Sequence, residues 1–360
     1  MKLSIIYPYR NRNSERIRKS FQSLANQTDP NFHVYFVDYG SDDPISQNIK
    51  EICSKFNFIT YKYLVAKFQP WNKSRALNSV IKILDTGYCF VADVDIIFHP
   101  DFVKVARKLQ VKNETTYFQV GYLDSVESNK DIEFSDYKVS RLSTSEATGL
   151  SMFPVRQLKD LNGFDEFYHF WGSEDTDMHV RLKNAGTKVK FYEEELLMLH
   201  QWHDSYQSMA KSGKLTDLKV SGILALNHQH LKSAIKRRTT QVNLEGWGQC
   251  MTQDDLNELQ QAPVDFSVSN EKRQVNEVLF GQLPGLWNGV IKILFKMDSF
   301  QDSTKYYLKK KLGKKVPEYY SFQEMNDQVI LHLISFYRNL PYTIISNKTE
   351  GIIEVALKFS

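Results

Sequence analysis

Cysteine, long apolar runs and glycine-rich loops are all scarce in this sequence. Its 360 residues include three cysteines, Cys53, Cys89 and Cys250, which form no CxxC pair, so neither a disulfide framework nor a zinc site is indicated. On that basis we expect a reducing, cytoplasmic location. No uncharged apolar run reaches about 18 residues, and the N-terminal segment lacks the pattern of a signal peptide, so we expect neither a transmembrane helix nor secretion.

The excess of one charge sign is also small. Lysine and arginine number 46 against 42 acidic residues, and a net charge of +4 gives no reason to expect a nucleic-acid partner. Hydrophobic residues make up 42% of the chain, enough for a sizeable core, and the length predicts two domains at roughly 100–200 residues each. Aromatic residues reach 13%, which fits carbohydrate binding or an ordinary aromatic core equally well.

Short β-rich runs alternate with helical patterns in the first ninety residues. The β-rich runs are Leu3–Tyr7, His33–Val37, Asn57–Tyr63 and Tyr88–Ala92, and the helical patterns are Arg16–Ala25, Ile45–Phe56 and Lys73–Leu84. This alternation predicts an α/β fold with a Rossmann-like, mostly parallel sheet flanked by helices. Ligands bind such sheets at the carboxyl ends of the strands, where polar clusters follow in this chain.

The pattern changes near residue 213. Residues 1–213 contain the predicted strands, whereas residues 214–360 are expected to form a mainly helical C-terminal region, with an amphipathic helix at Leu286–Met297. Within that region Lys305–Lys315 (KYYLKKKLGKK) has six lysines, two tyrosines and no acidic residue. It is either a solvated helix face or a docking surface for an anionic membrane. The C-terminal region is therefore expected to associate with an acceptor or with a membrane.

Two carboxylates, Asp93 and Asp95, follow the apolar run Tyr88–Ala92 with Val94 between them. A pair at this spacing can bind one divalent cation together with its diphosphate ligand, since hard cations take oxygen ligands and often retain substrate phosphates. The alternative is an ordinary polar strand terminus. The position after a buried strand favours the metal interpretation.

Polar residues also follow the first two predicted strands. In Tyr7–Arg12 (YPYRNR), Pro8 stiffens the chain where the first strand ends, and Arg10 and Arg12 are suited to a phosphate. Asp38 ends the second strand, where it could accept a hydrogen bond from a base or ribose. No glycine-rich phosphate loop is present, which argues against a Rossmann dehydrogenase, a P-loop enzyme and a nucleotidyltransferase of the glycine-rich-loop type.

The segment Phe68–Asn78 (FQPWNKSRALN) places three polar residues at the start of a helix. For Lys73, a solvated surface charge is as good an interpretation as a ligand. Arg75 is the better candidate for a ligand because its neighbours are largely apolar. Asn78 lies on the same helix start.

Three carboxylates begin another predicted helix in Trp171–Leu182 (WGSEDTDMHVRL). Ser173 as N-cap and Gly186 as stop signal predict a helix over Glu174–Ala185, and capping suffices to explain Asp177. Capping does not explain Phe170-Trp171-Gly172, an aromatic platform suited to stacking a sugar ring.

The position of these carboxyls at a helix N-terminus affects how well they can act as bases. The helix dipole should lower the pKa of such a carboxyl and so weaken it as a base. A carboxylate within hydrogen-bond reach still suffices when a hydroxyl loses its proton late in the reaction.

Two histidines, His200 and His203, flank Trp202 after a β-like run. Each is either structural or a nitrogen ligand to the cation expected at Asp95.

Together these motifs resemble a GT-A glycosyltransferase of the inverting, metal-dependent kind. The chain looks similar to the β1,4-galactosyltransferase family and to bacterial capsule and chondroitin-type enzymes of the glycosyltransferase 2 type. YPYRNR resembles the P-F-R-N-R that contacts UDP, KSRALN resembles R-A-x-x-x-N, and DVDIIF resembles the D-V-D-x-x metal motif. LNGFDEFYHFWGSEDTDMHVRL resembles the acceptor-side motif N-G-F…W-G-x-G-E-D-D-D…R-L. The resemblance covers roughly residues 1–210.

The resemblance implies a role for each matching residue. Asp175 would be the catalytic base, Glu174 would hold the acceptor hydroxyl, and Trp171 and Gly172 would bind the acceptor sugar. It implies a nucleotide-sugar site formed by Pro8, Tyr9, Arg10, Arg12, Asp38, Arg75, Asn78, Asp93 and Val94. It implies a site for Mn²⁺ or Mg²⁺ at Asp95 and His200, with His203 as the alternative.

The sequence also departs from the family pattern at defined positions. A metal-binding Met three residues before the His falls on Leu197, with Met198 one place off. The donor-discriminating aromatic falls near Glu146, and a single Gly follows Trp171. Retaining relatives of the fold tend to have Asn at the position of Asp175, which favours inversion.

The expected function is transfer of a hexose, Gal or GalNAc or similar, from a UDP-sugar to a glycan or lipid-linked oligosaccharide in bacterial surface polysaccharide synthesis. A cytoplasmic enzyme with peripheral contact to the inner face of the membrane fits this function. One alternative is a nucleotidyltransferase, which pyrophosphate release would reveal. Another is a non-catalytic sugar-binding protein, against which Asp93, Asp95 and Asp175 count.

Overall fold

A computed structural model describes residues 3–85, 87–204 and 220–359 of the chain. The chain divides into two compact units that are interleaved in sequence. The first comprises Met1–Lys67, Trp71–Ser212 and Leu224–Gln249, and the second comprises Phe68–Pro70, Gly213–Ile223 and Cys250–Ser360. The functional boundary expected between residues 213 and 214 stays a prediction.

The strands of the first unit form two sheets. They are β1 (Leu3–Tyr9), β2 (Phe32–Asp38), β3 (Ile59–Tyr63), β4 (Tyr88–Val91), β5 (Ile96–Phe98), β6 (Glu114–Phe118), β7 (Gly121–Tyr122), β8 (Arg141–Leu142), β9 (Ser151–Pro154), β10 (Lys188–Tyr192) and β11 (Met198–His200). The larger sheet has the order β10-β6-β9-β4-β1-β2-β3, and the smaller has the order β5-β11-β7-β8. In the larger sheet β9 is antiparallel to β4 and β6, and the other pairings are parallel. The prediction of an α/β fold with a mostly parallel sheet is confirmed.

The direction in which strands are added to the larger sheet reverses at β1. This strand pairs with β2 on one side and with β4 on the other. Tyr9 is in register with Asp38, so the ends of β1 and β2 lie side by side. The polar segments that follow β1, β2 and β4 therefore meet at one edge of the sheet, where open α/β sheets bind ligands.

The first unit also contains helices, several of which pack against its strands. They are α1 (Ser14–Ala25), α2 (Asp43–Ser54), α3 (Lys73–Ile81), α4 (Phe102–Lys108), α5 (Ser125–Ser128), α6 (Val155–Asp160), α7 (Glu174–Asn184) and α8 (Ile223–Arg237). The side chain of Asn13 caps α1, and Phe21 on the buried face of that helix packs edge-to-face on Tyr7 and Phe36. Full burial of such a side chain stabilises the fold by about 1.5–3 kcal/mol.

The smaller sheet fixes the position of His200. Strand β11 runs antiparallel to β5, and His200 is in register with Ile96. The backbone N–H of Gln201 continues the pairing by donating to the carbonyl of Asp95 at 3.0 Å. Because Asp95 directly precedes Ile96, this register brings the end of β11 beside Asp93-Val94-Asp95, which we call the acidic triplet.

The second unit contains helices, as expected, and also a four-stranded sheet with the order β12-β13-β15-β14. Its elements are β12 (Phe266–Ser269), β13 (Gly289–Lys296), β14 (Tyr342–Asn347), β15 (Ile352–Phe359), α9 (Gln253–Gln261), α10 (Lys272–Asn276), α11 (Thr304–Lys311) and α12 (Phe322–His332), with π-helical turns at Glu277–Gln282 and Leu333–Tyr337.

The helix predicted at Leu286–Met297 is wrong, because most of this segment forms strand β13. Ile291, Ile293 and Phe295 alternate along the strand and are buried on one face. An apolar run of this length is compatible with both a helix and a strand, and β-branched residues favour the strand.

No helix in the described part of the chain is long and apolar enough to cross a membrane.

Candidate active site

Asp95, His200 and His203 form a cluster with the geometry of a metal site. Nε2 of His200 lies 3.6 Å from Oδ1 of Asp95, and Nε2 of His203 lies 3.1 Å from Oδ2. The candidate ligand atoms of the three residues all lie within 4.8 Å of one another. Asp95 is buried, and within the described residues its Oδ1 has no hydrogen-bond partner. A buried carboxylate oxygen that faces two imidazoles fits a divalent cation.

The charge of Asp95 is held by its neighbours. Burial by itself would raise the pKa of this carboxyl, but His200 and His203 lower the pKa to about 2. The carboxylate is therefore ionised at neutral pH, as a metal ligand must be. The family resemblance favoured His200 over His203, whereas both imidazoles contact Asp95 in the structure.

A second cluster lies on the other side of the acidic triplet and is centred on Lys73. Its Nζ lies 3.2 Å from Oδ2 of Asp175, 3.3 Å from Oε1 of Glu174 and 3.6 Å from Oδ1 of Asp93. We call Lys73, Asp93, Glu174 and Asp175 the lysine–carboxylate cluster. The Lys73 side chain is only 15% exposed, so the interpretation of Lys73 as a solvated surface charge is wrong.

The pKa of Asp175 differs from the expectation for a helix N-terminus. Burial is the largest cause and raises this pKa, Lys73 opposes the rise, and Glu174 and Asp93 add to it, with a result of about 8. The expectation of a lowered pKa is therefore wrong, because desolvation and two neighbouring carboxylates outweigh the helix dipole. A raised pKa makes Asp175 a stronger base than a solvated aspartate.

Asp177 has a structural role deeper in the fold. Its Oδ2 accepts from Nε of Arg181 at 2.7 Å, and both side chains are completely buried. Arg181 also donates to the carbonyl of Gly163, and the hydroxyl of Tyr168 donates to Asp177. The capping explanation for Asp177 is wrong, and its burial separates Asp177 from the exposed side of the lysine–carboxylate cluster.

The backbone before α7 makes an unusual turn. Phe170, Gly172 and Ser173 have φ values of 64°, 102° and 75°. Ser173 occupies the N-cap position of α7, as predicted, but its side chain makes no capping bond to the helix, because its left-handed conformation differs from the extended one that a capping serine adopts. The amide of Asn227 instead supports the turn by donating to the carbonyls of His169 and Trp171.

Trp171 projects from this turn with its side chain half exposed, at 49%. The neighbouring Gly172 has the positive φ that glycine adopts without strain, and a Cβ there would lie 3.3 Å from Leu224. A large exposed ring beside the carboxylates of α7 can stack on a sugar. Binding of an acceptor by Trp171 and Gly172 stays a prediction.

The residues expected to bind the nucleotide lie at the ends of β1 and β2. The hydroxyl of Tyr9 donates to the carbonyl of Arg12, and Arg10 donates to the carbonyl of Lys67. Asp38 accepts from the backbone of Ser41 and from the hydroxyl of Tyr61.

Three further residues were predicted to bind the nucleotide-sugar. Pro8 is paired with Val37 inside the sheet, Arg12 is exposed, and Val94 is half-buried between Asp93 and Asp95. Nucleotide binding by the residues at the strand ends stays a prediction.

Arg75 and Asn78 are not brought to the crevice with the other predicted residues. Nε of Arg75 donates to Oε2 of Glu166 at 2.8 Å, and Asn78 donates to Oε1 of the same carboxylate at 2.9 Å. All three are buried, and Gly163 packs so closely that a Cβ there would lie 2.1 Å from Oδ1 of Asn78. Glu166 belongs to the quoted motif LNGFDEF, but nothing in the sequence marked it as the partner of α3.

Comparison with known proteins points to one class of enzyme. Residues 129–204 match the sequence model of a family described as the N-terminal domain of galactosyltransferase. An uncharacterized glycosyltransferase of Rickettsia felis is 31% identical over 134 residues, which are 37% of this chain and 21% of that protein. A glycosyltransferase of Rickettsia conorii matches with the same identity and coverage. The chain spans about a fifth of the length of these curated relatives.

Two solved structures are also similar. The crystal structure of S. aureus TarS 1-349 in complex with UDP is 17% identical, with a TM-score of 0.45 over 71% of this chain and 77% of that one. A mannosyltransferase from Pyrobaculum calidifontis in complex with GDP-Man and Mn²⁺ is 14% identical, with a TM-score of 0.41 over 65% of this chain and 69% of that one. The family match and the Rickettsia relatives confirm the resemblance to glycosyltransferases. The matched segment 129–204 includes Trp171, Asp175 and both histidines.

Proposed function

We propose that the chain is a metal-dependent, inverting glycosyltransferase that moves a hexose from a UDP-sugar to a hydroxyl group of a glycan. The observation that carries this proposal is the position of the acidic triplet between two clusters. Asp95 lies with His200 and His203, and Asp93 lies with Lys73 and Asp175. A site for a cation and its diphosphate is thereby joined to a site for a base.

The donor side would be built from the ends of β1, β2 and β4. Asp95, His200 and His203 would hold a divalent cation, Mn²⁺ in preference to Mg²⁺, because two imidazole nitrogens suit transition metals better than Mg²⁺. When bound, that cation would neutralise the charge of the departing UDP. Tyr9, Arg10, Arg12, Asp38 and Val94 would contact the nucleotide, with Asp93 near its ribose.

The acceptor side would be built from the turn before α7. Trp171 would stack on the acceptor sugar, and Glu174 would orient its hydroxyl group. Asp175 would take the proton from that hydroxyl as its oxygen attacks the anomeric carbon from the side opposite UDP. Attack from the opposite side inverts the anomeric centre, and positioning of the two substrates supplies much of the acceleration.

The biological setting that we propose is bacterial surface polysaccharide synthesis on the cytoplasmic side of the membrane. The support comes from a basic patch in the second unit, made of lysines with exposed apolar side chains among them. Its members are Lys305, Lys309, Lys310, Lys311, Lys314, Lys315, Tyr307, Leu308 and Leu312. Tyr307, Leu308 and Leu312 are 59%, 55% and 69% exposed. Lysines around exposed apolar side chains suit an anionic lipid surface, where a lipid-linked acceptor would lie.

The direct test of the activity is release of UDP from a panel of UDP-hexoses in the presence of Mn²⁺. UDP-Gal and UDP-GalNAc are the first candidates, with oligosaccharide acceptors, and NMR of the product gives its anomeric configuration. We expect UDP release that needs both an acceptor and a cation and is lost in Asp95→Ala. Release of pyrophosphate would instead indicate nucleotidyl transfer, and absence of turnover with intact UDP-sugar binding would indicate a sugar-binding protein.

A further inference from the structure

Lys73 lies against the candidate base, and little of its side chain is exposed. It begins α3, where the side chain of Asn72 caps the helix by accepting from Arg75. Its ammonium lies within 3.6 Å of carboxylates from two other segments, the acidic triplet and the start of α7. Burial lowers the pKa of Lys73, but the carboxylates raise it well above its usual value, so the ammonium stays charged.

The neighbouring arginines form ion pairs with carboxylates other than Asp175. Arg75 pairs with Glu166, and Arg181 pairs with Asp177, in both cases within the protein interior. The charged groups that face Asp175 are therefore Lys73 from α3, Glu174 from its own helix and Asp93 from the segment after β4. Among these three, Lys73 alone is positive.

We propose that Lys73 is a positioning residue that favours the ionised, proton-accepting form of Asp175 and ties it to Asp93 on the donor side. One ammonium opposes three carboxylates that would otherwise repel one another in a partly buried site. Without Lys73, Asp175 would keep its proton to a higher pH than in the wild type, and Asp93 and Glu174 would separate. The role of Asp175 as a base rests on the proposed function, whereas the electrostatic link between Lys73 and Asp175 does not.

The test compares Lys73→Met with Lys73→Arg. Lys82→Met is the matched control, since Lys82 follows the same helix but donates to the carbonyl of Trp247. The first measurement is a carbon-13 NMR titration of the side-chain carboxyls, with the Asp175 signal identified by its absence in Asp175→Asn. We expect the midpoint of Asp175 to rise by about 1–3 pH units in Lys73→Met, the range for loss of a contacting opposite charge, and to stay near the wild-type value in Lys73→Arg and Lys82→Met.

The second measurement is the pH dependence of kcat with saturating donor and acceptor. In Lys73→Met the rise of kcat with pH should move to higher pH by the same amount, about 1–3 pH units, because the base ionises later without the ammonium. An equal loss of kcat at every pH, or an unchanged NMR midpoint, would overturn the proposal. If the wild-type protein transfers no sugar, the proposed function fails, and the NMR titration still decides whether Lys73 controls Asp175.

Circular dichroism of each variant shows whether it is folded, so that a change in the titration is not confused with unfolding. If Lys73→Met does not fold, Lys73→Gln and Lys73→Arg provide the same contrast between a neutral and a charged side chain. A titration midpoint that is the same in these two variants would overturn the proposal.

Discussion

Nε2 of His203 lies 3.1 Å from Oδ2 of Asp95, closer than the 3.6 Å between Nε2 of His200 and Oδ1 of the same carboxylate. The two imidazole rings lie 5.1 Å apart and face the same acid. Leu197 and Met198, the positions at which a thioether ligand was sought, are buried in the apolar core. His203 is therefore a better candidate than Leu197 or Met198 for the third ligand of the cation, beside Asp95 and His200. His200 lies three residues before His203.

Loss of His203 should weaken metal binding before any substrate is present. We expect His203→Ala to bind Mn²⁺ at least about 10-fold more weakly in calorimetry without nucleotide, since loss of even an outer partner of a metal ligand costs roughly 10–100-fold. His228→Ala is a suitable control because His228 is exposed on α8. Unchanged Mn²⁺ affinity in both His200→Ala and His203→Ala would rule out this cation site.

Asp175→Asn should separate donor binding from chemistry. Asparagine has nearly the same shape but cannot accept the proton, so kcat should fall by about 10²-fold or more while affinity for the UDP-sugar is kept. Steady-state kinetics with calorimetry of donor binding measure the two effects. A kcat close to wild type would transfer the role of base to Glu174.

The same substitution should stabilise the fold in a pH-dependent way. The pKa of Asp175 is raised in the folded state to about 8, so its stabilising contribution is complete below the ordinary aspartate pKa and is lost as the pH rises through about 8. Asn stays neutral throughout, so Asp175→Asn should have a higher Tm than wild type at pH 9 and a similar Tm near pH 4. Differential scanning calorimetry at both pH values checks this; a variant less stable than wild type at pH 9 would contradict the assigned shift.

Asp177→Asn, by contrast, should destabilise the fold and leave the chemistry unchanged. Removing one charge of a fully buried ion pair leaves Arg181 uncompensated, which typically costs about 3–5 kcal/mol of stability. Urea unfolding measures this loss, and kcat per folded molecule should remain near wild type. A normal unfolding midpoint together with a large fall in kcat would place Asp177 in the chemistry instead.

The basic patch should bind anionic membranes reversibly. Liposome co-sedimentation should recover the protein with phosphatidylglycerol vesicles at low salt, and replacement of the six lysines by glutamine should release it, since each lysine contributes about 1 kcal/mol. High salt should also release the protein from the vesicles, because salt screens the attraction between the lysines and the anionic lipid. Leu308→Ser with Leu312→Ser tests the apolar part separately. Equal binding to neutral and anionic vesicles, or capture by a soluble polyanion alone, would contradict lipid docking.

Much of the first unit could be predicted from local patterns. The strands β1 to β4 and the helices between them follow from alternating apolar runs and turn residues, and the acidic triplet falls at a strand end as expected. The helix stop at Gly186 was also correct, with φ at +81°. These features depend on residues close together in sequence.

The missed features depend on contacts between distant segments. Arg75 was assigned to a ligand because its partner Glu166 lies 91 residues away. Lys73 looked like a surface charge because its three carboxylates come from two other segments. The pKa of Asp175 likewise depends on burial that no local pattern reports.

The pairing of β1 with both β2 and β4 has a consequence for biosynthesis. Leu3 is in register with Phe32 on one side, but its partner on the other side is Tyr88, 85 residues later in the chain (88 − 3). At roughly 5–20 residues per second, synthesis takes about 4–17 s to deliver that second partner. During this interval β1 offers an unpaired apolar edge to other nascent chains. Slower translation ahead of Tyr88 should therefore lower the yield of soluble protein even though the finished sequence is the same.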